Sequence, residues 1–212
     1  EIEAFVSNFL SGEYFFLIPR ANIFLYPRNQ LEANILASFK RIDEVEIEFR
    51  DFNSIILKIT EREPESIWCM GSALEGGEGT CYFLDADGFI YAPAPSFTGN
   101  VYFRFYGSIG EGAPVGQAFL PPETFRALSL FLASLSKNGI ETNALVVRND
   151  YDYALYLANG TEVLFPRAQD LATTLDNLES VLLSDEFKNN ETGVEYIDLR
   201  FGNKAYYKVE GE

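Results

Sequence analysis

Cys69 and Cys81, the two cysteines of this chain, are the residues whose spacing best suits a chemical step, the formation of a disulfide. They flank a glycine-rich loop at 71–79, and the segments beside it, 66–70 and 80–84, have the pattern of paired strands. The two thiols would then face each other across a hairpin. A bridge there would stabilise the fold by roughly 2–3 kcal/mol and would indicate an oxidising compartment. The alternative is a pair of unrelated free thiols.

The sequence contains few residues suited to catalysis or metal binding. Histidine is absent from the sequence, which excludes a Ser–His or Cys–His nucleophile, a histidine-bound zinc and a histidine proton shuttle. The motif Asp85-Ala86-Asp87-Gly88 resembles the start of a calcium loop but lacks the later ligands, so a turn between two strands is the better interpretation. None of the 32 acidic residues lies in a recognisable acid–base motif. We predict no catalytic residue, no metal and no cofactor, and a protein that is not an enzyme.

Acidic residues dominate the charge, since 32 Asp and Glu outnumber 16 Lys and Arg and give a net charge of −16. This charge argues against binding to nucleic acid or to an anionic lipid surface, because both would repel the chain. It suits a basic partner, or simply high solubility. Hydrophobic residues make up 47% and aromatic residues 15%, which predicts a folded, strand-rich chain.

The first sixty residues predict a compact α+β unit. Apolar residues recur at helical spacing in 2–10 and again in 28–39, and the stretch 13–26 between them is predicted to be a loop. Apolar and charged residues then alternate in 45–49, as a half-buried strand requires, and 55–59 is predicted to be its partner strand in a hairpin. Residue 1 is Glu and already lies in the first helical pattern, so we expect that a further segment precedes it.

A charged stretch with a proline, 61–65, is the predicted domain boundary, which divides the chain into domains at 1–63 and 64–212. Beyond it the sequence is typical of a β domain with two interrupting helices, at 122–137 and 169–184. Its predicted strands, besides the last two of the chain, are 66–70, 80–84, 89–92, 101–105, 117–120, 144–149, 154–157 and 162–165.

The last two predicted strands, 196–201 and 205–209, are joined by Gly202 and Asn203, a pair suited to a tight turn. If the final strand lies at a sheet edge, its free N–H and C=O groups offer a template for a strand of a partner. Ala205 and Tyr207 would then face one side of the sheet, and Tyr206 and Lys208 the other. The alternative is that these tyrosines only cover the core of the domain.

Three blocks of sequence carry a family resemblance. Residues 42–68 resemble the hairpin that closes the POTRA domain of the FtsQ/DivIB bacterial division proteins. Cys81-Tyr-Phe-Leu-Asp-Ala-Asp-Gly-Phe-Ile90 is similar to the hairpin that opens their β domain. Tyr196-Ile-Asp-Leu-Arg-Phe201 is similar to their C-terminal valine–aspartate–leucine–arginine–tyrosine signature. The blocks occur in the family's order and span nearly the whole chain.

The resemblance implies an α+β architecture, with a small POTRA-like α/β domain at 1–63, whose first strand is missing, and a larger mixed β-sheet domain with flanking helices at 64–212. It implies a non-enzymatic, extracytoplasmic scaffold of the divisome, anchored at the septum by one membrane helix upstream of this chain. Its partners would be FtsB- and FtsL-like proteins, with FtsB adding a strand at the C-terminal sheet edge. The residues that would form this edge are Arg200, Phe201, Ala205, Tyr206, Tyr207, Lys208 and Val209.

Two other functions are consistent with the sequence. A POTRA protein of a different envelope assembly could handle secreted or outer-membrane polypeptides, and a cell-wall-acting enzyme is a third class. A membrane helix with a short basic tail upstream of this chain would favour the scaffold, whereas a cleavable signal peptide would favour the other two classes.

Overall fold

The computed structural model divides the chain into two compact units, Glu1–Glu63 and Pro64–Glu212. The helices and the large mixed sheet confirm the predicted α+β class. In the described part of the chain no helix is both long enough and apolar enough to cross a bilayer. The residues that the structure describes are 1–11, 13–14, 18–19, 27–51, 54–71, 79–148, 151–184, 187, 193–202 and 204–209.

The first unit is built on one antiparallel hairpin. Apolar residues alternate with charged residues along its first strand, β3 (Ile42–Asp51). In this strand Ile47 lies opposite Leu57 of β4 (Ser54–Glu61), on the face that the helices cover. Two short paired strands, β1 (Glu13–Tyr14) and β2 (Ile18–Pro19), lie within the stretch 13–26, for which the sequence predicts a loop. The elements of this unit are α1 (Ile2–Phe9), β1 (Glu13–Tyr14), β2 (Ile18–Pro19), α2 (Arg28–Ser38), β3 (Ile42–Asp51) and β4 (Ser54–Glu61). The buried side chains of its core are Val6, Leu31, Ile35, Ile42, Val45 and Ile47.

The second unit contains nine described strands in one mixed sheet. Its elements are β5 (Ser66–Cys69), β6 (Cys81–Leu84), β7 (Ile90–Pro93), β8 (Arg104–Tyr106), α3 (Pro122–Lys137), β9 (Thr142–Val147), β10 (Asp152–Leu157), β11 (Glu162–Pro166), α4 (Leu171–Leu182), β12 (Val194–Phe201) and β13 (Lys204–Val209). The strands lie side by side in the order β13-β12-β11-β10-β9-β8-β5-β6-β7.

The two helices listed above for the second unit, α3 and α4, each connect a pair of parallel strands. Parallel neighbours need a long crossover, and α3 connects β8 to β9 while α4 connects β11 to β12. We call the side of the sheet that these helices cover the helix face. Phe125 and Leu128 of α3 and Leu178 of α4 are buried there, in one core with Leu155 and Phe165 of the sheet. A smaller cluster on the opposite face includes Ile67, Cys69, Tyr106 and Ala144.

The predicted strand 117–120 is wrong. Only Ala118 forms an isolated bridge, to Phe89, and the segment runs along the outer side of β7 without becoming a strand. There the Ile90 N–H donates to the carbonyl of Gln117 at 2.9 Å, and the Gly116 N–H donates to the carbonyl of Ile90 at 2.8 Å. The apolar residues of 117–120 give the pattern of a strand because two of them, Phe119 and Leu120, are buried.

Cys69 and Cys81 form a disulfide between β5 and β6, where they occupy directly opposite positions of the antiparallel pair. The hairpin pairing predicted from the sequence therefore brings the two sulfurs together. Cys69 is buried in the cluster on the face opposite the helices, whereas Cys81 is partly exposed. Residues 72–78 of the glycine-rich loop lie outside the described residues.

The acidic motif at 85–88 forms the predicted turn, between β6 and β7. The carboxylate of Asp85, the first residue of the motif, accepts hydrogen bonds through Oδ1 from the N–H groups of Asp87 at 2.9 Å and Phe89 at 3.0 Å. Gly88 has a φ of +75°, a left-handed conformation that glycine adopts without steric cost. The carboxylate of Asp85 thus shapes the turn, as the sequence interpretation expected.

Candidate partner-binding edge

Strand β13 lies at one end of the large sheet and pairs with β12 alone among the strands that the structure describes. The two strands form an antiparallel hairpin in which Tyr206 lies opposite Asp198 and Tyr207 lies opposite Ile197. Gly202, with a φ of +69°, makes the turn that joins them, and Asn203 lies outside the described residues. Five residues of the predicted site, Ala205 to Val209, are therefore part of an edge strand.

The two faces of β13 have different surroundings. Tyr207 is half-buried and contacts the core on the helix face, in line with the burial of its neighbour Ile197. Tyr206 points to the opposite face and is 51% exposed. The alternation predicted from the sequence is thus present, with Tyr207 contributing to the core and Tyr206 available at the surface.

Phe201 and Tyr206 form an aromatic pair next to this edge. Their ring centroids are 5.3 Å apart and their planes meet at 86°, an edge-to-face arrangement. Phe201 is 57% exposed although it is fully apolar. Such a pair is a common anchor of protein interfaces, since aromatic side chains supply a large contact area.

Arg200 lies on β12, one strand in from the edge, and its guanidinium is engaged by two carboxylates of the same unit. Nε and one terminal nitrogen donate to the two oxygens of Asp198 at 2.9 and 2.6 Å, in a bidentate fork. The other terminal nitrogen donates to Asp152 Oδ2 at 3.0 Å. Because Asp152 belongs to β10, Arg200 connects β12 to β10 across β11. The predicted partner-binding arginine therefore already has an internal function.

The carboxylate of Asp198 depends on this arginine. Burial acts to raise the pKa of Asp198, but the hydrogen bonds and positive charge of Arg200 outweigh it and lower the pKa below its ordinary value. The hydrogen bond to Asp198 in turn raises the pKa of Arg200, against the effect of burial. The Asp198 side chain is only 9% exposed, so it would be a buried unpaired charge without Arg200.

Lys208 extends along the same face of β13 as Tyr206. Its ammonium lies 2.6 Å from a carboxylate oxygen of Glu195, and this hydrogen bond raises the pKa of Lys208. Both side chains are well exposed, at 41% and 52%. An exposed ion pair of this kind exchanges partners at low cost.

A groove runs between the C-terminal half of α4 and β13, on the helix face. Small side chains on both walls leave a cavity of about 260 Å³: Ser180 of α4 and Ser184 just after the helix on one side, and Ala205 of β13 on the other. Val181 and Tyr207 give it an apolar floor. We call it the α4–β13 groove.

Sequence reasoning missed several of these residues. The spacing of Asp198 and Arg200 on one strand face could have indicated their pairing, because residues two apart in a strand point the same way. Asp152 is 48 positions from Arg200, and no local pattern connects them. Ser180 and Ser184 also gave no signal, since their position beside β13 depends on tertiary packing. Across the described ranges, no three acidic or cysteine side chains come together as metal ligands would.

Residues 73–200 match the family described as Cell division protein FtsQ/DivIB, C-terminal. The match covers well over half of the sequence. The chain belongs to the FtsQ/DivIB family. Membership implies a scaffold role in bacterial cell division, in a family without enzymatic activity. The matched stretch ends at Arg200, so the case for β13 rests on the structure of the edge itself. A comparison with curated proteins finds no match.

Proposed function

We propose that this FtsQ/DivIB chain is a non-enzymatic, extracytoplasmic scaffold of the divisome that captures FtsB- or FtsL-like partners by adding one of their strands to β13. The unit Glu1–Glu63 would be its POTRA-like domain and Pro64–Glu212 its β domain. The protein would act at the division septum, held there by a membrane helix upstream of this chain.

The observation that carries this proposal is the free outer side of β13 among the described residues. An added strand gains affinity from main-chain hydrogen bonds and specificity from alternate side chains. Next to β13, alternate side chains of the partner would meet Tyr206 on one face and the α4–β13 groove on the other. Phe201 would extend the first contact, since its ring already touches Tyr206.

Proline substitutions in β13 test the proposal. Consecutive N–H groups of an antiparallel strand point alternately to its two sides, so one of Tyr206 and Tyr207 directs its N–H away from β12. Proline at that position removes a hydrogen bond to the partner and leaves the hairpin intact. We expect one of the variants Tyr206→Pro and Tyr207→Pro to lose at least about tenfold in affinity for the extracytoplasmic segments of FtsB- and FtsL-like proteins.

Alanine at the same positions is the matched control, because it removes the ring and keeps the N–H. The informative proline variant should unfold at nearly the same temperature as its alanine counterpart. Equal partner binding by both proline variants and their alanine controls would refute strand addition at β13.

A further inference from the structure

The edge strand has the opposite charge to the unit that contains it. Acidic residues outnumber basic ones in the β domain as they do in the whole chain, yet the sequence of β13 contains two lysines, Lys204 and Lys208, and no acidic residue. Residues two apart in a strand share a face, so alternation places both lysines on the face of Tyr206. Lys204, which follows the turn, also borders the α4–β13 groove. The row on this face is therefore Lys204, Tyr206 and Lys208.

An added strand would place its own side chains directly opposite this row. Opposite residues of neighbouring strands approach to about 5 Å between Cβ atoms, close enough for charges and rings to interact. Lys204 is exposed, and Lys208 is bound to Glu195 at the surface, an ion pair that a carboxylate of a partner could replace or join. Acidic residues opposite the two lysines are therefore favoured, and basic residues are repelled.

The other face of the added strand would meet the α4–β13 groove. The residue opposite Ala205 points toward this groove, where Ser180 and Ser184 leave space and Val181 supplies apolar surface. A cavity of about 260 Å³ is larger than an engineered apolar cavity of about 150 Å³ that binds benzene. It has room for one bulky apolar side chain.

We infer that the strand received by β13 comes from an acidic segment, with acidic residues four positions apart, an aromatic residue midway between them, and a bulky apolar residue facing the α4–β13 groove. This inference rests on the proposed strand addition and specifies its partner. A second copy of the chain fits less well, because pairing centred on Tyr206 would set Lys204 opposite Lys208 twice. Two acidic units would also repel each other.

A short synthetic peptide tests the inference with the full chain. Its centre reads glutamate–leucine–tyrosine–leucine–glutamate, which is symmetrical and so places leucine opposite Ala205 in either orientation. Hydrogen exchange of the β13 amides reports strand addition, and a titration at low and high salt gives the affinity. The first control peptide has lysine in place of both glutamates, and the second has glycine in place of both leucines.

We expect the acidic peptide to protect the β13 amides and to bind about tenfold more tightly than the lysine peptide at low salt. The double substitution Lys204→Glu and Lys208→Glu should reverse this order. The glycine peptide should bind several-fold more weakly than the leucine peptide. Replacing Ser184 with Phe, which fills the groove, should remove that last difference.

Equal binding of the acidic and lysine peptides, or an order that the double charge reversal leaves unchanged, would overturn the inference. So would absence of β13 protection by the acidic peptide, or dimers of the wild-type chain in sedimentation. The proposed function is judged separately by the proline variants and the complete partners, so capture of those partners without dependence on charge at 204 and 208 would reject only the acidic-strand inference.

Discussion

The two edge strands of the large sheet, β7 and β13, differ in how far their outer backbone groups are covered by other parts of the chain. At one end β7 is short, its residues Ile90, Tyr91 and Ala92 are buried, and Pro93 closes it. The segment 116–119 runs along its outer side, and the N–H and C=O of Ile90 are both hydrogen-bonded to that segment. At the other end β13 is longer, contains no proline, and has no described strand on its outer side.

The two edges therefore differ in how accessible their outer backbone groups are among the described residues. Edge strands attract unwanted pairing, and proteins protect them with short length, proline, covering segments or charged residues. The β7 edge uses the first three of these devices. Of these devices the β13 edge has only charged residues, its two lysines, which leave the backbone of the strand accessible. We therefore regard β7 as a closed edge and β13 as a receptive one.

The largest effect that we predict concerns the closed edge. A Cβ at Gly88 would lie 2.6 Å from Cγ of the buried Phe125, and the φ of +75° adds backbone strain. Gly88→Ala should therefore lower the free energy of unfolding by about 2–5 kcal/mol. The Gly88 carbonyl also accepts from the Phe119 N–H at 2.9 Å, so the covering segment should loosen and the Ile90 amide should exchange faster. Chemical denaturation and hydrogen exchange measure the two effects.

Gly160→Ala is the matched control for that prediction. Gly160 has a φ of +93°, but a Cβ there would meet no atom within 4 Å. The Gly160→Ala variant should lose about 1–2 kcal/mol of unfolding free energy, the cost of the left-handed backbone alone. A loss at Gly88 no larger than at Gly160 would contradict the argument that tight packing under Gly88 holds the closed edge.

The second prediction concerns the support of the receptive edge. Arg200→Ala should lower the free energy of unfolding by about 1–3 kcal/mol near neutral pH, because it leaves the Asp198 carboxylate buried without its fork of hydrogen bonds. The lowered pKa of Asp198 means that the unfolded chain takes up this proton more readily than the folded chain. The stabilisation is complete above the ordinary aspartate pKa, near 4, and is lost as the pH falls through the lower pKa of the folded state.

Urea denaturation of the wild type and of Asp198→Asn across this acidic range isolates the contribution of the Asp198 carboxylate to stability. The other carboxylates titrate in both proteins, so their effects cancel in the comparison. The difference between them should shrink as the pH falls. Arg126→Ala is a control with an exposed partner, Asp87, and should change stability little at any of these pH values. A difference in unfolding free energy between wild type and Asp198→Asn that grows as the pH falls would contradict the lowered pKa of Asp198 in the folded state.

Much of the local structure could be predicted from the sequence. The helix α3 has the predicted bounds, because Pro121 and Pro122 occupy its N-cap and first position and Gly139, with a φ of +78°, follows its last turn. The hairpin of β12 and β13 was predicted to within two residues at each strand end, since Gly202 marks its turn. These features depend on neighbours along the chain, whose types determine backbone conformation.

The order of strands could not be predicted in the same way. The parallel neighbours β5 and β8, and then β8 and β9, are brought together by long connections, and no short pattern encodes their pairing. The stretch 117–120, which overlaps the covering segment, has the pattern of a strand because burial of Phe119 and Leu120 produces the same apolar run. For the site, the sequence indicated β13 but not the α4–β13 groove, which exists only once a helix crosses the sheet.

The smallest effect on stability should come from the aromatic pair at the receptive edge. Tyr206 and Phe201 contact each other but remain 51% and 57% exposed, so Tyr206→Ala should cost no more than about 1 kcal/mol of folding free energy. Its effect on partner binding should be larger, because aromatic anchors at an interface often contribute more than 1 kcal/mol each. Thermal denaturation and partner titration of Tyr206→Ala, Phe201→Ala and the double variant measure both.

A double-mutant cycle separates the two functions of the pair. If the rings serve a partner, the two substitutions should each weaken binding and change the unfolding free energy little. A loss of stability above about 2 kcal/mol with unchanged binding would instead assign the rings to the core. In that case β13 would resemble β7, with side chains that protect the fold, and the contrast between a closed and a receptive edge would rest on the exposed backbone alone.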